Sequence, residues 1–214
     1  GSFTITGGGA IVLAGDVSID TETGGTAGVA AGSVDWGSSA ISANAGGVDL
    51  SIDTRQVGAG ETGGAVTIGA VGNGGGNWLS SVSIDTRAGT NGTARLSGDI
   101  AVDGTGVTLA GNVELGLASL STLTVSTEQD ATGNGGGITT GNAIFATTNA
   151  NVDLTLDGST GDAGGTGGNV VLGSFEPFGG NRVRNLSVTA NGGMNGSISQ
   201  PSAVEVAGSI LYEH

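Results

Sequence analysis

The sequence predicts an all-β fold, a right-handed parallel β-helix (β-solenoid) with about 32 residues per coil and about six to seven coils. Three observations predict this architecture. A short strand-like phrase returns at a nearly constant interval, apolar and small polar residues alternate within each copy, and glycine-rich turns separate the copies. A single β-solenoid is therefore expected to span residues 1–214.

The repeated phrase is an apolar residue followed by Ser-Ile-Asp-Thr. Its copies begin at Val17, Leu50 and Val82, with looser copies at Leu123, Leu154 and Leu186. Successive copies are spaced by about 32 residues, except that the interval from Val82 to Leu123 is longer. The alternation within the first copy predicts that Val17, Ile19 and Thr21 point inward, whereas Ser18 and Asp20 point outward. Parallel stacking of such strands about 4.8 Å apart would align the equivalent side chains of all six copies into columns.

Each repeated strand is followed by a glycine-rich turn and a second strand. The segments 64–71 and 168–175 share glycines and apolar positions, and the offset between them is the same as that between Leu50 and Leu154. This offset predicts an internal duplication at about 104 residues. The right-handed winding is the usual sense for a crossover between parallel strands. An antiparallel sandwich is the competing fold, but it does not explain nearly identical strands at a regular interval.

A second phrase, Ile11-Val-Leu13-Ala-Gly15, returns at Val107 and Val204, so its three copies are almost evenly spaced. It divides the chain into a first repeat unit (1–106), a second repeat unit (107–202) and a last segment (203–214) that begins a third unit or contacts another subunit. About ten extra residues around 114–123 would account for the long interval between Val82 and Leu123.

The composition excludes several function classes. The chain has 46 glycines and 2 prolines, and its net charge of −14 comes from 19 acidic residues against 5 basic ones, all of them arginines. Nucleic acids and anionic membrane surfaces both require a basic patch, so neither is an expected partner. The longest apolar runs fall far short of the roughly 20 residues that span a bilayer, so membrane insertion is not expected. Because cysteine is absent, disulfides and thiolate metal sites are excluded.

Acidic residues at equivalent positions are the candidate metal ligands. Stacked carboxylates in one outward column could bind calcium, whose preferred ligands are oxygens. The candidates are Asp20, Asp53 and Asp85, continued by Asp157, together with Asp162 in the Gly-Asp-rich run that starts at Asp157. The competing interpretation is a solvated acidic face that keeps the protein soluble, with opposite charges pairing in the adjacent column Glu22, Arg55, Arg87 and Glu128. No cofactor is otherwise expected.

These strands and turns, Leu-Ala-Gly-Asn-Val, Ser-Ile-Asp-Thr and Gly-Gly, with few aromatic residues and no lysine or cysteine, resemble the repeat regions of large bacterial secreted β-helix proteins. Filamentous haemagglutinin-like adhesins and autotransporter passengers are such proteins. The resemblance implies a right-handed β-helix outside the cell or on its surface that serves as a stalk, an adhesive surface or a fibre. The resemblance implies no catalytic residues in this chain.

The expected function is structural, with no enzymatic activity. A segment that resembles the beginning of the chain lies at its end, so copies could stack head to tail into a long fibre, or the chain could be a section of one. The expected contact residues are Phe3, Ile5, Ile11, Leu13, Val204, Val206, Ile210, Leu211 and Tyr212. The alternative is an adhesin module that binds a glycan or a host surface through the solenoid face. A polysaccharide lyase or hydrolase and an ice-binding protein are weaker alternatives.

Overall fold

The structure is a computed structural model that describes residues 1–22, 30–58, 60–72, 77–116, 122–130, 132–141, 143–146 (backbone only), 152–176 and 181–214. These residues form twenty strands and no helix, so the all-β prediction is confirmed. In chain order the strands are β1 (Phe3–Thr4), β2 (Ile11–Leu13), β3 (Val17–Asp20), β4 (Val34–Asp35), β5 (Ile41–Ala43), β6 (Val48–Asp53), β7 (Val66–Ile68), β8 (Leu79–Asp85), β9 (Thr93–Leu96), β10 (Ile100–Ala110), β11 (Asn112–Leu115), β12 (Thr122–Ser126), β13 (Gly137–Thr139), β14 (Ala143–Ala146), β15 (Asp153–Asp157), β16 (Val170–Val171), β17 (Ser174–Phe175), β18 (Leu186–Thr189), β19 (Ile198–Ser199) and β20 (Ile210–Glu213). Among the described residues there is no helix that is long and apolar enough to cross a membrane.

The strands stack into three ladders, in which every strand pair of the described chain is parallel. Ladder A contains β1, β4, β7, β9, β11, β14 and β17, and a bridge from Phe175 extends it to Val204. Ladder B contains β2, β5, a bridge through Val71, the start of β10, and then β12, β15, β18 and β20. Ladder C contains β3, β6, β8, the end of β10, and then β13, β16 and β19. The antiparallel sandwich is thus not the fold.

The chain enters the ladders in the fixed order A, B, C and then returns to A. One such circuit, with one strand in each ladder, is called a level of the stack. On ladder C, for example, Val17 pairs with Leu50 and Leu50 pairs with Val82, so consecutive copies of the phrase are direct neighbours. Each circuit of the three ladders adds one parallel strand to each of them. This arrangement is compatible with the predicted solenoid.

The side chains alternate as the sequence predicts. Leu50, Ile52 and Thr54 are buried, whereas Ser51 and Asp53 between them face outward and are partly exposed. The copies at Val17 and Val82 show the same alternation. The inward residues of the three ladders pack against one another as a continuous apolar core, in which Trp36 and Phe175 are the largest fully buried side chains.

Ladder C does not continue from Val82 to Leu123, contrary to the sequence prediction. Val82 pairs instead with Val107, which lies much closer to it along the chain. The cause is β10, which leaves ladder B and joins ladder C as one unbroken strand, turning at two glycines with positive φ angles, Gly104 (151°) and Gly106 (130°). Because no loop separates the two parts of β10, this level of the stack uses fewer residues than the levels next to it.

The short level moves the later copies of the phrase to another ladder. The strand at Leu123 is β12, which lies on ladder B, where Val125 pairs with Ile100. The copies at Leu154 and Leu186 follow it on ladder B. The long interval between the third and fourth copies is therefore the path from ladder C to ladder B across two levels, and the prediction that all six copies form one column was wrong.

At several corners between ladders, a threonine is hydrogen-bonded to a glycine of the next strand's approach. The Thr54 hydroxyl donates a hydrogen bond to the Gly64 carbonyl oxygen (2.9 Å), and the Gly64 N–H donates to the Thr54 carbonyl oxygen (2.9 Å). Thr86 and Gly92 form the same pair of bonds. Thr54 and Thr86 occupy corners between ladders C and A, whereas the buried Thr127 donates to Gly136 (2.7 Å) at a corner between ladders B and C. The duplicated sequence thus builds the same corner on a different side of the stack.

Replacing Thr86 by valine should lower the free energy of unfolding by about 1–2 kcal/mol, because the buried Gly92 carbonyl loses a donor while the shape of the side chain is kept. Thr108→Val is the matched control, since Thr108 is exposed on β10, and its effect should stay below about 0.5 kcal/mol. Urea denaturation followed by circular dichroism measures both. Equal effects of the two substitutions would contradict the role of the buried hydroxyl.

Candidate functional site

Two features of the surface are candidates for function: the outward acidic residues along the ladders, and the two ends of the stack. On ladder C, β3, β6 and β8 hold Asp20, Asp53 and Asp85 in direct register. The structure therefore brings three of the five calcium candidates together, as the regular spacing of the phrase predicts.

Most aspartates of the described chain accept a hydrogen bond within a local turn. In the Asx-turn arrangement, an aspartate side chain accepts a hydrogen bond from the backbone N–H two residues further along. The aspartates that do so are Asp20, Asp35, Asp53, Asp85, Asp130, Asp157 and Asp162. The high aspartate content of the chain is thus explained in part by its many corners.

Arginines neutralise the acidic column on ladder C. The Arg55 guanidinium lies 2.5 Å from an oxygen of Asp53 and 3.6 Å from an oxygen of Asp85, so it bridges two neighbouring strands. Arg87 lies 2.7 Å from Asp85. Hydrogen bonds to Asp53 and Asp85 raise the pKa of Arg55 and Arg87, respectively. Calcium binding at this column stays a prediction, and an ion there would have to compete with two guanidinium groups.

Asp157 does not continue the column of Asp85, which corrects the sequence prediction. It ends β15 on ladder B, where it stacks between Ser126 and Thr189, because the short level moved the later copies to that ladder. The Thr189 hydroxyl donates a hydrogen bond to it (2.8 Å), and Ser159 donates two more. On ladder C the next residue after Asp85 is Ala110.

Asp162 lies in the loop that follows β15 and fastens that loop to the preceding level. Its carboxylate accepts the N–H groups of Gly164 (2.8 Å) and Gly133 (3.0 Å), and these bonds lower the pKa of Asp162. Glu128 likewise lies beside ladder B, where it accepts the N–H of Gly161, so it does not continue the column of Arg87 as predicted.

A third acidic group was not anticipated from the sequence. Asp103, Glu128 and Asp130 each present a carboxylate oxygen within 4.8 Å of the others, and among the described residues these are the ones that could jointly coordinate a cation. All three carboxylates accept backbone N–H bonds: Asp103 from Gln129, Glu128 from Asp130 and Gly161, and Asp130 from Thr132. Asp103 lies beside the turn of β10 at Gly104, so its approach to Glu128 and Asp130 depends on how β10 passes from ladder B to ladder C. We assign no ion to this group.

The ends of the stack differ from its middle in the exposure of inward-facing residues. In the middle of ladder C, Leu50 is 0% exposed and Ile52 is 1% exposed, whereas Val17 and Ile19, at the same positions of the first level, are only half-buried. They are half-buried because none of the described strands pairs with β3 on its outer side.

All nine predicted contact residues lie in the first or last level. Phe3 is exposed on ladder A of the first level, with Ile5 and Ile11 half-buried beside it, whereas Leu13 is buried. The residues of the last level, half-buried or exposed, are Val204, Val206, Ile210, Leu211 and Tyr212. The structure therefore places the predicted contact residues at the two ends, where all of them except the buried Leu13 are at least partly exposed.

Aromatic residues partly cover both ends. The rings of Phe3 and Trp36 meet edge to face with centroids 6.4 Å apart at the first level. At the last level the Tyr212 hydroxyl donates a hydrogen bond to the Gln200 side-chain oxygen, and burial raises the pKa of Tyr212. Because Trp36 and Phe175 are buried, they are not available to an adhesive surface on the side of the stack.

The ion pair between Arg184 and Asp153 should make stability depend on pH. Arg184 donates to both oxygens of Asp153 (2.7 and 2.5 Å), Asn185 adds a further bond, and these contacts, led by that of Arg184, lower the pKa of Asp153. A lowered pKa in the folded state means that the stabilisation is present above the unfolded pKa, about 4, and is lost as the pH falls through the folded value.

Asp153→Asn and Arg184→Gln should therefore each reduce the loss of stability on acidification below about pH 4. The effect should be small, because the pair is partly solvent-exposed. Thermal unfolding between pH 2 and 7 measures it. A variant that keeps the full acid dependence of the wild-type chain would show that this pair does not contribute.

Comparison with protein-family models found no match to the chain, and searches of curated proteins and of solved structures likewise found no significant similarity.

Proposed function

We propose that the chain is an extracellular structural β-solenoid, wound right-handed with about 32 residues per coil, that stacks head to tail into a long surface fibre or stalk or forms a section of one. The observation that carries the proposal is the pair of exposed apolar ends. Each end presents strands whose inward side chains continue the core but are not covered by another strand.

Open ends of a parallel stack favour association for two physical reasons. The outermost strands have backbone N–H and C=O groups without a strand partner, and their apolar side chains are in contact with water. Natural solenoids usually cover such ends with atypical repeats that have a polar outer face. Here the last level keeps the strand pattern of the interior, because β20 pairs in register with β18 and presents Ile210 and Tyr212, both at inward positions, to solvent.

The sides of the stack favour end-to-end over lateral contacts. Outward positions carry aspartates, serines, threonines and arginines, and the net charge of −14 makes lateral association of copies repulsive. Among the described residues, Val57 is the exposed large apolar side chain that lies away from the ends. Single exposed side chains of this kind do not form an association surface.

Extracellular use accords with the way the fold is held together. With no cysteine in the chain, stability depends on ladder hydrogen bonds, buried aliphatic side chains and threonine–glycine corners. None of these interactions responds to the redox state of the surroundings. The bacterial secreted β-helix proteins that the repeats resemble use such stacks as stalks and adhesive fibres, and this likeness supports the assignment to the cell surface.

Electron microscopy of the purified chain tests the proposal. Ile210→Lys should abolish fibre formation, because it places a charge where Ile210 would be covered by the next copy. Val57→Lys is the matched control, since Val57 is 76% exposed on the side of the stack, and it should leave fibre formation unchanged. A wild-type chain that stays a monodisperse monomer at high concentration would contradict head-to-tail stacking.

A further inference from the structure

The two ends of the stack determine in which orientation a second copy can dock. At the last end, ladder A finishes at Val204 and ladder B at β20, but ladder C finishes one level earlier, at β19. In the described chain ladders A and B therefore have eight levels each and ladder C has seven. The first end begins with β1 on ladder A, followed by β2 on ladder B and β3 on ladder C.

Docking with like ladders aligned would leave a gap. If ladder A of the second copy continued ladder A of the first, its β3 would lie two levels above β19, roughly 9.6 Å away instead of the 4.8 Å of paired strands. The backbone groups on both sides of that gap would lack partners, which is costly in a buried contact. The orientation that places β1 over β20 also leaves the gap on ladder C.

One orientation leaves no gap. If the second copy is rotated by one ladder, its β1 fills the free position over β19, its β2 covers Val204 and its β3 covers β20. All three ladders then continue without interruption across the contact.

This orientation also pairs each strand with a segment of similar sequence. Phe3 follows Gly-Ser, as does Ile198. The segment Ile11-Val-Leu13-Ala-Gly-Asp-Val17 corresponds position by position to Val204-Glu-Val206-Ala-Gly-Ser-Ile210. Apolar inward positions would thus meet apolar inward positions along the whole contact, as they do between strands inside the stack.

We propose that a second copy of this chain docks on the last level with a rotation of one ladder, so that β1, β2 and β3 of one copy cover β19, Val204 and β20 of the other. This proposal rests on the proposed head-to-tail assembly and adds its geometry. Each copy would lengthen the fibre by about 37 Å. It would also rotate the next copy by one third of a turn less than a whole number of coils, so the same orientation would recur at every third copy.

Cysteine cross-linking distinguishes this orientation from the aligned one, because the chain has no native cysteine. The outward Val12 of β2 would lie over Glu205 in the rotated contact but over Glu213 in the aligned contact. All three side chains are exposed, and Val12 lies at the opposite end of the stack from the other two, so links form only between copies. The variants Val12→Cys/Glu205→Cys and Val12→Cys/Glu213→Cys therefore form a matched pair.

With a short bifunctional thiol reagent, the Val12→Cys/Glu205→Cys variant should give a series of covalent dimers, trimers and larger oligomers on a denaturing gel. The Val12→Cys/Glu213→Cys variant should give at least about tenfold less. The reverse preference would overturn the rotation while leaving head-to-tail assembly intact. If neither variant links, the rotation is also overturned, and electron microscopy of the same samples then shows whether assembly itself fails.

Discussion

Replacing Phe175 by alanine is expected to lower the free energy of unfolding by about 4 kcal/mol. Phe175 is fully buried in β17, where it pairs with Ile144 of β14 and bridges to Val204. The substitution would remove the ring from the core of ladder A near its end. The neighbouring strands are held by ladder hydrogen bonds on both sides, so they cannot collapse fully into the space, and both transfer and cavity costs apply.

Urea denaturation monitored by circular dichroism measures this effect. Val57→Ala is the matched control, because Val57 is 76% exposed, and its effect should be within about 0.5 kcal/mol. A loss of less than about 1 kcal/mol for Phe175→Ala would contradict the burial of this ring in a continuous core.

Replacing Gly168 by alanine is expected to cost roughly 3 kcal/mol or more. A β-carbon at Gly168 would lie 1.9 Å from the carbonyl oxygen of Gly136 on the preceding level. The conflict is with backbone and not with the end of a flexible side chain, so relief requires the two levels to move apart. Gly64, its equivalent in the first repeat unit, is in the same position against the Gly32 oxygen at 2.0 Å, and Gly64→Ala should have a similar cost.

For Gly15→Ala we expect no loss in the free energy of unfolding, because Gly15 lies at a turn without crowding. A β-carbon at Gly15 meets no atom within 4 Å, so alanine should be neutral or stabilise by up to about 1 kcal/mol through the unfolded state. The difference between the two kinds of site is measured by the same denaturation experiment. Comparable effects at Gly15 and Gly168 would show that neighbouring levels are not in close backbone contact.

The direction of each side chain in the repeated phrase is predictable from the sequence, because it depends only on local alternation. Val17, Leu50 and Val82 point inward and share a ladder, since one regular coil returns the chain to the ladder it left. The ladder of Leu123 is not predictable in this way. A strand with one apolar face fits ladder B as well as ladder C, so the longer interval before Leu123 can mean an insertion or a change of ladder.

The same distinction applies to the candidate sites. The outward position of Asp85 and its neighbour Arg87 follows from the phrase, but Arg87 pairs with the aspartate column and not, as predicted, with an opposite charge in its own column. The meeting of Asp103 with Glu128 depends on the corner at Gly104, which is set by how β10 passes between ladders. The exposed apolar ends were predictable as segments, because the segment at Val204 repeats the one at Ile11.

The most direct test of the fold is a pair of cysteine cross-links within one chain. In the structure Ser83 of β8 pairs with Thr108 of β10, whereas an uninterrupted column of phrases would place Ser83 beside Thr124. The double variant Ser83→Cys/Thr108→Cys should therefore form an intramolecular link with a short bifunctional thiol reagent, and Ser83→Cys/Thr124→Cys should not. Preferential linking of Ser83 to Thr124 would contradict the three ladders and the change of ladder between the two repeats.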